Sequence, residues 1–417
     1  MKQLGAMDVA DRAPVALFAG TGSPASAAIR TRTAYKTPTG ENSDVRVLVS
    51  RAEFDALSDE WRELEQQAAG AIFFQSFEFC RAVWDHHQRN GHNFQPVILV
   101  LRIGGRLAGL LPLQQVGPNS SFILTGFGEP YQQYTDILLA PGAPDDAARR
   151  LLESARALKG CDGFNFLKVR DDSALAPLLR AMNAIRSNDE AAPFVDLRPF
   201  PDFKSYLSTI NSKTRKNMRN ARNRLARDGA LDHRVLTEAA DIDALVTRAY
   251  EGRERWLEQQ GLTSRAFRDP SFGAFSHAAS QKDSGLHVLA MSLTLGGRPI
   301  ADQWGFIFNG RYYAYLATWA PEFEESSPGK LHLEEVIRSC HERGIGIADF
   351  LVPAVRYKFT WTDQAMPVAD YALGLSWRSR LMFGLWAGTV RPVLKDLALM
   401  LPPSIRGAIT RIVLRRK

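Results

Sequence analysis

The sequence predicts a mixed α/β fold built twice: two tandem domains, each a mixed sheet flanked by helices. Three observations carry this expectation. From Val45 onward, helical stretches alternate with short strand-like runs. A length of 417 residues suits two or three domains of ordinary size. One hairpin pattern occurs in both halves and is followed each time by the same order of elements, as in a duplicated architecture.

Residues 1–44 are rich in Ala, Gly, Ser, Thr and Pro without apolar periodicity, and read as a disordered arm outside the fold. A first domain is expected over 45–198, a second over 199–375, and a basic amphipathic helical tail over 376–417. In the first domain a helix is predicted over Glu53 to Gln67, and strands over Pro96 to Ile103 and Leu107 to Gln114. The first hairpin turns at Gly104-Gly105 and the second, between Val288–Thr294 and Pro299–Phe308, at Gly296-Gly297. Paired glycines supply the positive φ that a tight hairpin demands. Strand, helix and strand then follow in both halves: Ser121–Leu124, Asp145–Leu158 and Gly163–Val169, then Arg311–Thr318, Lys330–Arg343 and Ile347–Leu351.

Apolar residues make up 45% and charged residues 23%, which are globular proportions and exclude a largely disordered chain. Cys80, Cys161 and Cys340 are too widely spaced for a disulfide framework or a metal-ligand pair. The acids Asp8 and Asp11 near the N-terminus argue against a signal peptide, and no apolar run is long enough to span a bilayer. A cytoplasmic protein is expected.

The net charge of +7 is unevenly placed. Seven cations and no acid lie between Lys213 and Arg227; nine cations against one acid lie in 376–417, which leaves −8 for the remainder. Such asymmetry points to anionic partners at those two segments. In the first, Arg215, Arg219 and Arg222 share one side of a helix whose other side is an apolar stripe of Met218, Ala221 and Leu225. The cations either face an anionic ligand or are an ordinary solvated surface. In the tail, Trp377, Leu381, Phe383, Leu385 and Trp386 interleave with cations. That pattern suits a helix on an anionic membrane surface, at the inner face of the membrane, or one docked on its own domain.

The chemistry-bearing motif is a strand, Tyr312 to Thr318, then a loop, then Ser326-Ser327-Pro328-Gly329-Lys330 opening an amphipathic helix. Unpaired N–H groups and the positive dipole end at such a helix start can hold a pyrophosphate, and Lys330 adds a charge. The alternative is that Ser-Pro-Gly simply caps the helix. None of the eight histidines has metal-ligand spacing, so no metal is expected. Nucleophile-elbow, P-loop and dinucleotide fingerprints are absent from the sequence.

Ser327-Pro328-Gly329, a helix ending at Gly344, Asp349-Phe350, and Tyr357-Lys358 followed by Trp361 together resemble the GNAT acetyltransferases of the BioF-like, cellulose-biosynthesis (CelD-like) branch. That branch is related to the Fem-type aminoacyltransferases of peptidoglycan synthesis. The resemblance extends upstream through Tyr206-Leu207, the basic run, and Arg253 with Trp256, covering about residues 200–375. It implies an N-acyltransferase that moves an acyl group, acetyl foremost, from acyl-CoA to a small-molecule or sugar amine, with a link to polysaccharide or cell-envelope synthesis. The loop has Glu324-Glu325 and one glycine where ordinary GNAT enzymes carry a glycine-rich pyrophosphate signature, so acyl carrier protein and aminoacyl-tRNA remain alternative donors. A non-catalytic scaffold at a membrane or a synthesis complex is the other alternative.

On this resemblance, Ser327, Pro328, Gly329 and Lys330 are the candidate donor-binding residues. Asp302, Tyr315 and Asp349 are the candidate catalytic residues; the strand positions of the two carboxylates allow both to project into one cleft, and Asp349 is read as structural or substrate-orienting. Arg215, Arg219, Arg222, Trp256, Gln303, Tyr357 and Lys358 are the candidate substrate contacts. Backbone N–H groups where the Tyr312–Thr318 strand splays from its neighbour are expected to stabilise an oxyanion. The first half lacks the Ser-Pro-Gly loop and the Tyr-Lys-x-x-Trp run, and is expected to be a degenerate copy.

Overall fold

The computed structural model describes residues 43–262 and 264–385; the expected arm up to residue 42 and the tail beyond residue 385 lie outside the described residues. Two compact units result, one drawing on residues up to Asp189 together with Val368 onward, the other on Glu190–Pro367.

The first unit runs β1 (Ser43–Leu48), α1 (Arg51–Ala56), α2 (Ser58–Gln67), α3 (Phe77–Arg89), β2 (Pro96–Ile103), β3 (Arg106–Val116), β4 (Phe122–Gly126), β5 (Leu138–Leu139), α4 (Ala147–Arg156), β6 (Cys161–Arg170) and α5 (Leu175–Ala181). The single helix expected over 53–67 is two helices. Ser50 starts the first with a reciprocal capping box to Glu53, and Leu57 both ends it and begins the second. Strands β1 to β4 pair antiparallel in sequence order, and β4 pairs parallel with β6. The helix between them, α4, buries Leu151, Leu152 and Ala155 on the sheet, in a core with Leu99, Leu111, Leu113, Phe164 and Phe166.

The second unit repeats this order. After β7 (Ile185–Asp196), α6 (Phe203–Thr209) and α7 (Ser212–Leu225) come β8 (Leu231–Leu236), α8 (Ala239–Gln259), α9 (Phe272–Ala279), the hairpin β9 (Val288–Leu295) and β10 (Arg298–Phe308), β11 (Arg311–Trp319), α10 (Pro328–Glu342) and β12 (Ile347–Asp349). Strands β8 to β11 pair antiparallel in order, and β11 pairs parallel with β12. The internal echo is exact at the turns: Gly104 and Gly105 have φ of 56° and 81°, as do Gly296 and Gly297. Both positions carry positive φ, as a type I′ hairpin requires.

The sheet of each unit takes in a strand from the other half of the sequence. Within the second unit β7 pairs antiparallel with β12, Phe194 opposite Asp349 and Asp196 opposite Ile347. Within the first unit β13 (Ala365–Gly374) pairs antiparallel with β6, Val368 opposite Arg170 and Gly374 opposite Gly163. The strand that would close each half in a simple tandem is exchanged, so the compact second unit is 190–367 where the sequence suggested 199–375.

The final described helix, α11 (Trp377–Leu385), buries Phe383 against Ile123 and Ala372, while Trp377, Leu381 and Leu385 stay exposed. No described helix is long and apolar enough to cross a membrane. The three cysteines are free thiols.

Candidate active site

The site begins with a strand that loses its neighbour. β11 pairs with β12 only through Arg311–Tyr313, then continues to Trp319 bonded to β10 alone. A bulge sits at the parting point, where Ala314 and Tyr315 together oppose Gly305 of β10. Gly305 is required there, because a Cβ would stand 2.1 Å from the Tyr313 carbonyl oxygen. Beyond the bulge β11 has an open edge, the feature expected to expose backbone donors.

The start of α10 faces that edge. A short 3₁₀ turn over Pro321–Ser326 leads to Ser327, whose left-handed φ of 51° turns the chain into the helix. Pro328 takes the first helical position, where it has no N–H to leave unsatisfied. The Lys330 and Leu331 N–H groups both go to the Ser327 carbonyl. Gly329 packs under the Trp319 indole, with its Cβ position 3.5 Å from the ring. Ser327 makes no side-chain cap, so Ser-Pro-Gly does more to shape the turn than to cap it.

A narrow cleft joins these pieces. Asp302 and Gln303 of β10, Thr318 and Trp319 of β11, Gly329 and His332 of α10, and Tyr357 line it. Asp302 is 3% exposed and its carboxylate accepts twice from Arg248 of α8, at 2.9 and 3.2 Å. The Gln303 amide donates to the Trp304 and Leu316 carbonyls, which fixes it on the strand. Tyr357 rests edge-on to Trp319 at 6.1 Å between ring centroids, and burial raises its hydroxyl pKa. His332 donates from Nε2 to the Met291 carbonyl at 3.1 Å, and burial drives its pKa down to about 3. It is therefore neutral at working pH, and Nδ1 keeps a lone pair with no protein donor.

The expectation that Asp302 and Asp349 share a cleft is not met. Asp302 lies opposite Thr318 and Asp349 opposite Tyr313, which at strand rise puts them about 15 Å apart along β11. Asp349 is 1% exposed, accepts from Arg311 at 3.0 Å and from the Leu351 N–H at 2.9 Å, and braces the end of β12. Lys358 is likewise internal: its ammonium donates to the carbonyls of Phe350, Leu351 and Pro353 at 2.7, 2.9 and 2.9 Å, tying down the loop after β12. Burial lowers its pKa to about 7.

Tyr315 stands in the bulge, edge-on to Trp304 at 5.4 Å and Phe306 at 5.5 Å, on the side of the sheet away from Gly329. Along α7, Met218, Ala221 and Leu225 are buried as the stripe required, and Arg222 pairs with Glu335 at 2.8 Å. Arg219 is exposed and Arg215 half-buried. The Arg224 guanidinium reaches the Glu325 carbonyl, so this basic helix borders the loop that opens α10. Trp256 is half-buried and carries Arg253 over its ring at 4.3 Å. Trp361 is fully buried, its indole donating to the Lys330 carbonyl at 3.0 Å.

The sequence reading missed Arg248, Gly252 and His332. Their signal was spacing: Arg248, Gly252 and Trp256 recur every fourth residue on one helix face, and His332 follows Gly329 by one turn. Among the described residues, no group of three His, Cys, Asp or Glu side chains is placed to hold a metal ion.

A mixed sheet in each unit, a parallel strand pair bridged by a helix, and a strand splayed beside that helix define a tandem GNAT-like fold. Residues 212–359 match the family model described as the acetyltransferase (GNAT) domain, and that match supports a transferase. The solved structure of FemX aligns over 79% of this chain and 98% of its own, with a TM-score of 0.56 at 10% identity. That likeness shows a shared fold. The C-terminal domain of a putative lysylphosphatidylglycerol synthetase from Agrobacterium fabrum aligns over 82% of this chain and 99% of its own, at 14% identity and a TM-score of 0.48. A tandem GNAT protein from the clavulanic acid biosynthesis pathway aligns over 80% and 99%, at 14% identity and 0.46. No protein of curated function matches the sequence.

Proposed function

We propose that the second unit transfers an acyl group from acyl-CoA to an amine in the cleft between the splayed end of β11 and the start of α10. The observation that carries this reading is the coincidence of an open strand edge with a helix N-terminus opened by Ser327-Pro328-Gly329. The edge offers backbone hydrogen bonds to an extended acyl-bearing arm, and the helix start offers the Gly329 N–H and the helix dipole to its phosphates.

The amine nitrogen attacks the thioester carbonyl carbon directly. A C–N bond forms, the carbonyl electrons move to oxygen, and a backbone N–H at the β11 bulge stabilises that oxyanion. The oxyanion then collapses, the C–S bond breaks, and the Tyr357 hydroxyl, kept protonated by its raised pKa, donates a hydrogen bond to the departing thiolate. The amine's surplus proton leaves to solvent, and the thiolate takes one from it. Asp302, already bonded twice to Arg248, holds α8 to the cleft wall in this account, and His332 is too weak a base to serve. Holding amine and thioester together supplies several kcal/mol of the acceleration.

The test is transfer of labelled acetyl from acetyl-CoA into a pool of amines, with products read by mass spectrometry. Label should appear in an amide, and the yield should collapse in Gly329→Val, whose branched side chain would meet Trp319. Equal yield from both proteins would place the donor elsewhere.

A second reading has its own support. Lys213, Lys216, Arg219 and Arg227 of the basic segment are exposed beside the loop that opens α10, a surface suited to RNA phosphates and hence to an aminoacyl-tRNA donor. Charging the assay with aminoacyl-tRNA, and finding transfer that falls steeply with salt, would favour it. The exposed Trp377, Leu381 and Leu385 beside Arg378 support contact with an anionic membrane surface.

A further inference from the structure

Helix α8 carries a cation that the protein leaves without a counter-charge. Arg253 follows Gly252, whose lack of a side chain brings the helix backbone against the cleft residue Thr318; a Cβ there would lie 2.1 Å from the threonine hydroxyl. The guanidinium lies over the Trp256 ring at 4.3 Å. No described residue gives it a hydrogen bond or an ion pair. Every neighbouring cation is satisfied: Arg248 by Asp302, Arg311 by Asp349, and Lys358 by three carbonyls. Arg253 is nonetheless buried enough for desolvation to lower its pKa, and its charge acts on both Tyr357 and Lys358.

A desolvated guanidinium without a partner is unfavourable, and an anion that enters with the ligand removes that cost. With Trp256 against one face, the planar N–H fork is left for a bidentate acid group. Its helix is not the one that opens at the proposed phosphate site. Asp302 and Gln303 are consecutive strand residues and point to opposite faces; Asp302 reaches α8, whereas α10 packs in the core with Met291, the partner of Gln303 in β9. The helix that carries Arg253 and the helix that opens at Gly329 therefore pack on opposite faces of the sheet.

We propose that Arg253 recognises a carboxylate on the amine acceptor, so that the acceptor class is an amino acid or a molecule ending in one. The assignment of the ligand as an acceptor rests on the acyl-transfer reading above; the carboxylate site itself does not.

The test uses the purified full chain without any acyl donor. Melting temperature and tryptophan fluorescence are followed during titration with succinate, inorganic phosphate and the neutral succinamide, in wild type, Arg253→Gln and Arg253→Lys. Succinate should give a saturable shift, phosphate a weaker one and succinamide none. Arg253→Gln should weaken succinate binding roughly tenfold or more, the factor expected for losing one charged hydrogen bond. Arg253→Lys, which keeps charge but not the fork, should fall between. Arg253→Gln should melt close to wild type without ligand, because the guanidinium gives up only its stacking on Trp256 and has no protein hydrogen bond or ion pair to lose. An unchanged succinate shift in Arg253→Gln, or no shift in wild type, overturns the proposal. A preference for phosphate over succinate also overturns it, by assigning the cation to the donor's phosphates. Binding of acetyl-CoA is measured separately, so failure here leaves the transfer reading standing, and the reverse holds.

Discussion

At the scale of single residues, two of the candidate side chains act on the framework. Lys358 spends all three of its N–H bonds on backbone carbonyls of one loop. Lys358→Met should leave those carbonyls unsatisfied and lower stability by about 2–3 kcal/mol, measured by denaturant unfolding. The sequence offered Tyr357-Lys358 as a binding pair, and nothing in it distinguishes an ammonium turned inward from one turned to a ligand. Glu65 and Asp136 show the same concealment in the first unit. Burial raises both carboxyls to about 7, although Glu65 accepts from the Phe77 N–H and Asp136 from the Ile137 and Leu175 N–H groups. A carboxyl raised above its unfolded value favours the fold below about pH 4, and that advantage is lost as pH climbs through 7. Unfolding free energy should therefore decline between about pH 4 and 7, with a limiting slope of about 1.4 kcal/mol per pH unit for each group. A Glu65→Gln, Asp136→Asn double variant should flatten that slope; an identical slope would show that the groups do not titrate in this window.

At the scale of elements, the parting of β11 from β12 is the feature on which the chemistry depends. Its cause is local: the bulge at Ala314 and Tyr315 opposite Gly305 redirects the strand, and the close approach of Tyr313 to Gly305 permits it. Gly305→Ala should cost about 2–4 kcal/mol or shift the register of β10 against β11, seen as lost stability with changed amide exchange along both strands. Wild-type stability in that variant would mean that the strands have room the geometry denies. Hairpins, the helix after the Ser-Pro-Gly loop and the stripe on α7 were legible because period and turn chemistry mark them directly. The bulge was not, since Trp304-Gly305-Phe306 reads as an ordinary strand with a glycine in it.

At the scale of the whole molecule, sequence order misleads about where a unit ends. β7 and β13 each follow material of one half in sequence and pair in the sheet of the other, so a cut at residue 199 removes β7 from the second sheet and strands β13 without β6. A fragment of residues 183–367 should be more soluble and more cooperative in unfolding than one of 199–375, which exposes the edge of β12. The reverse ranking would contradict the exchanged arrangement. Hydropathy could not reveal the exchange, because a strand carries the same alternation whichever partner it finds. The tandem repetition itself was readable from the two Gly-Gly hairpins and the elements after them.

The claim on which the rest stands is that an acyl donor lies in the cleft under Trp319. Melting temperature of the purified full chain in acetyl-CoA, compared between wild type and Gly329→Val, tests it most directly, since a ligand that binds the folded state alone must raise it. A concentration-dependent rise in wild type that Gly329→Val loses, with the two proteins melting alike in buffer, is the predicted result. An equal rise in both proteins, or none in wild type at any concentration, would contradict it.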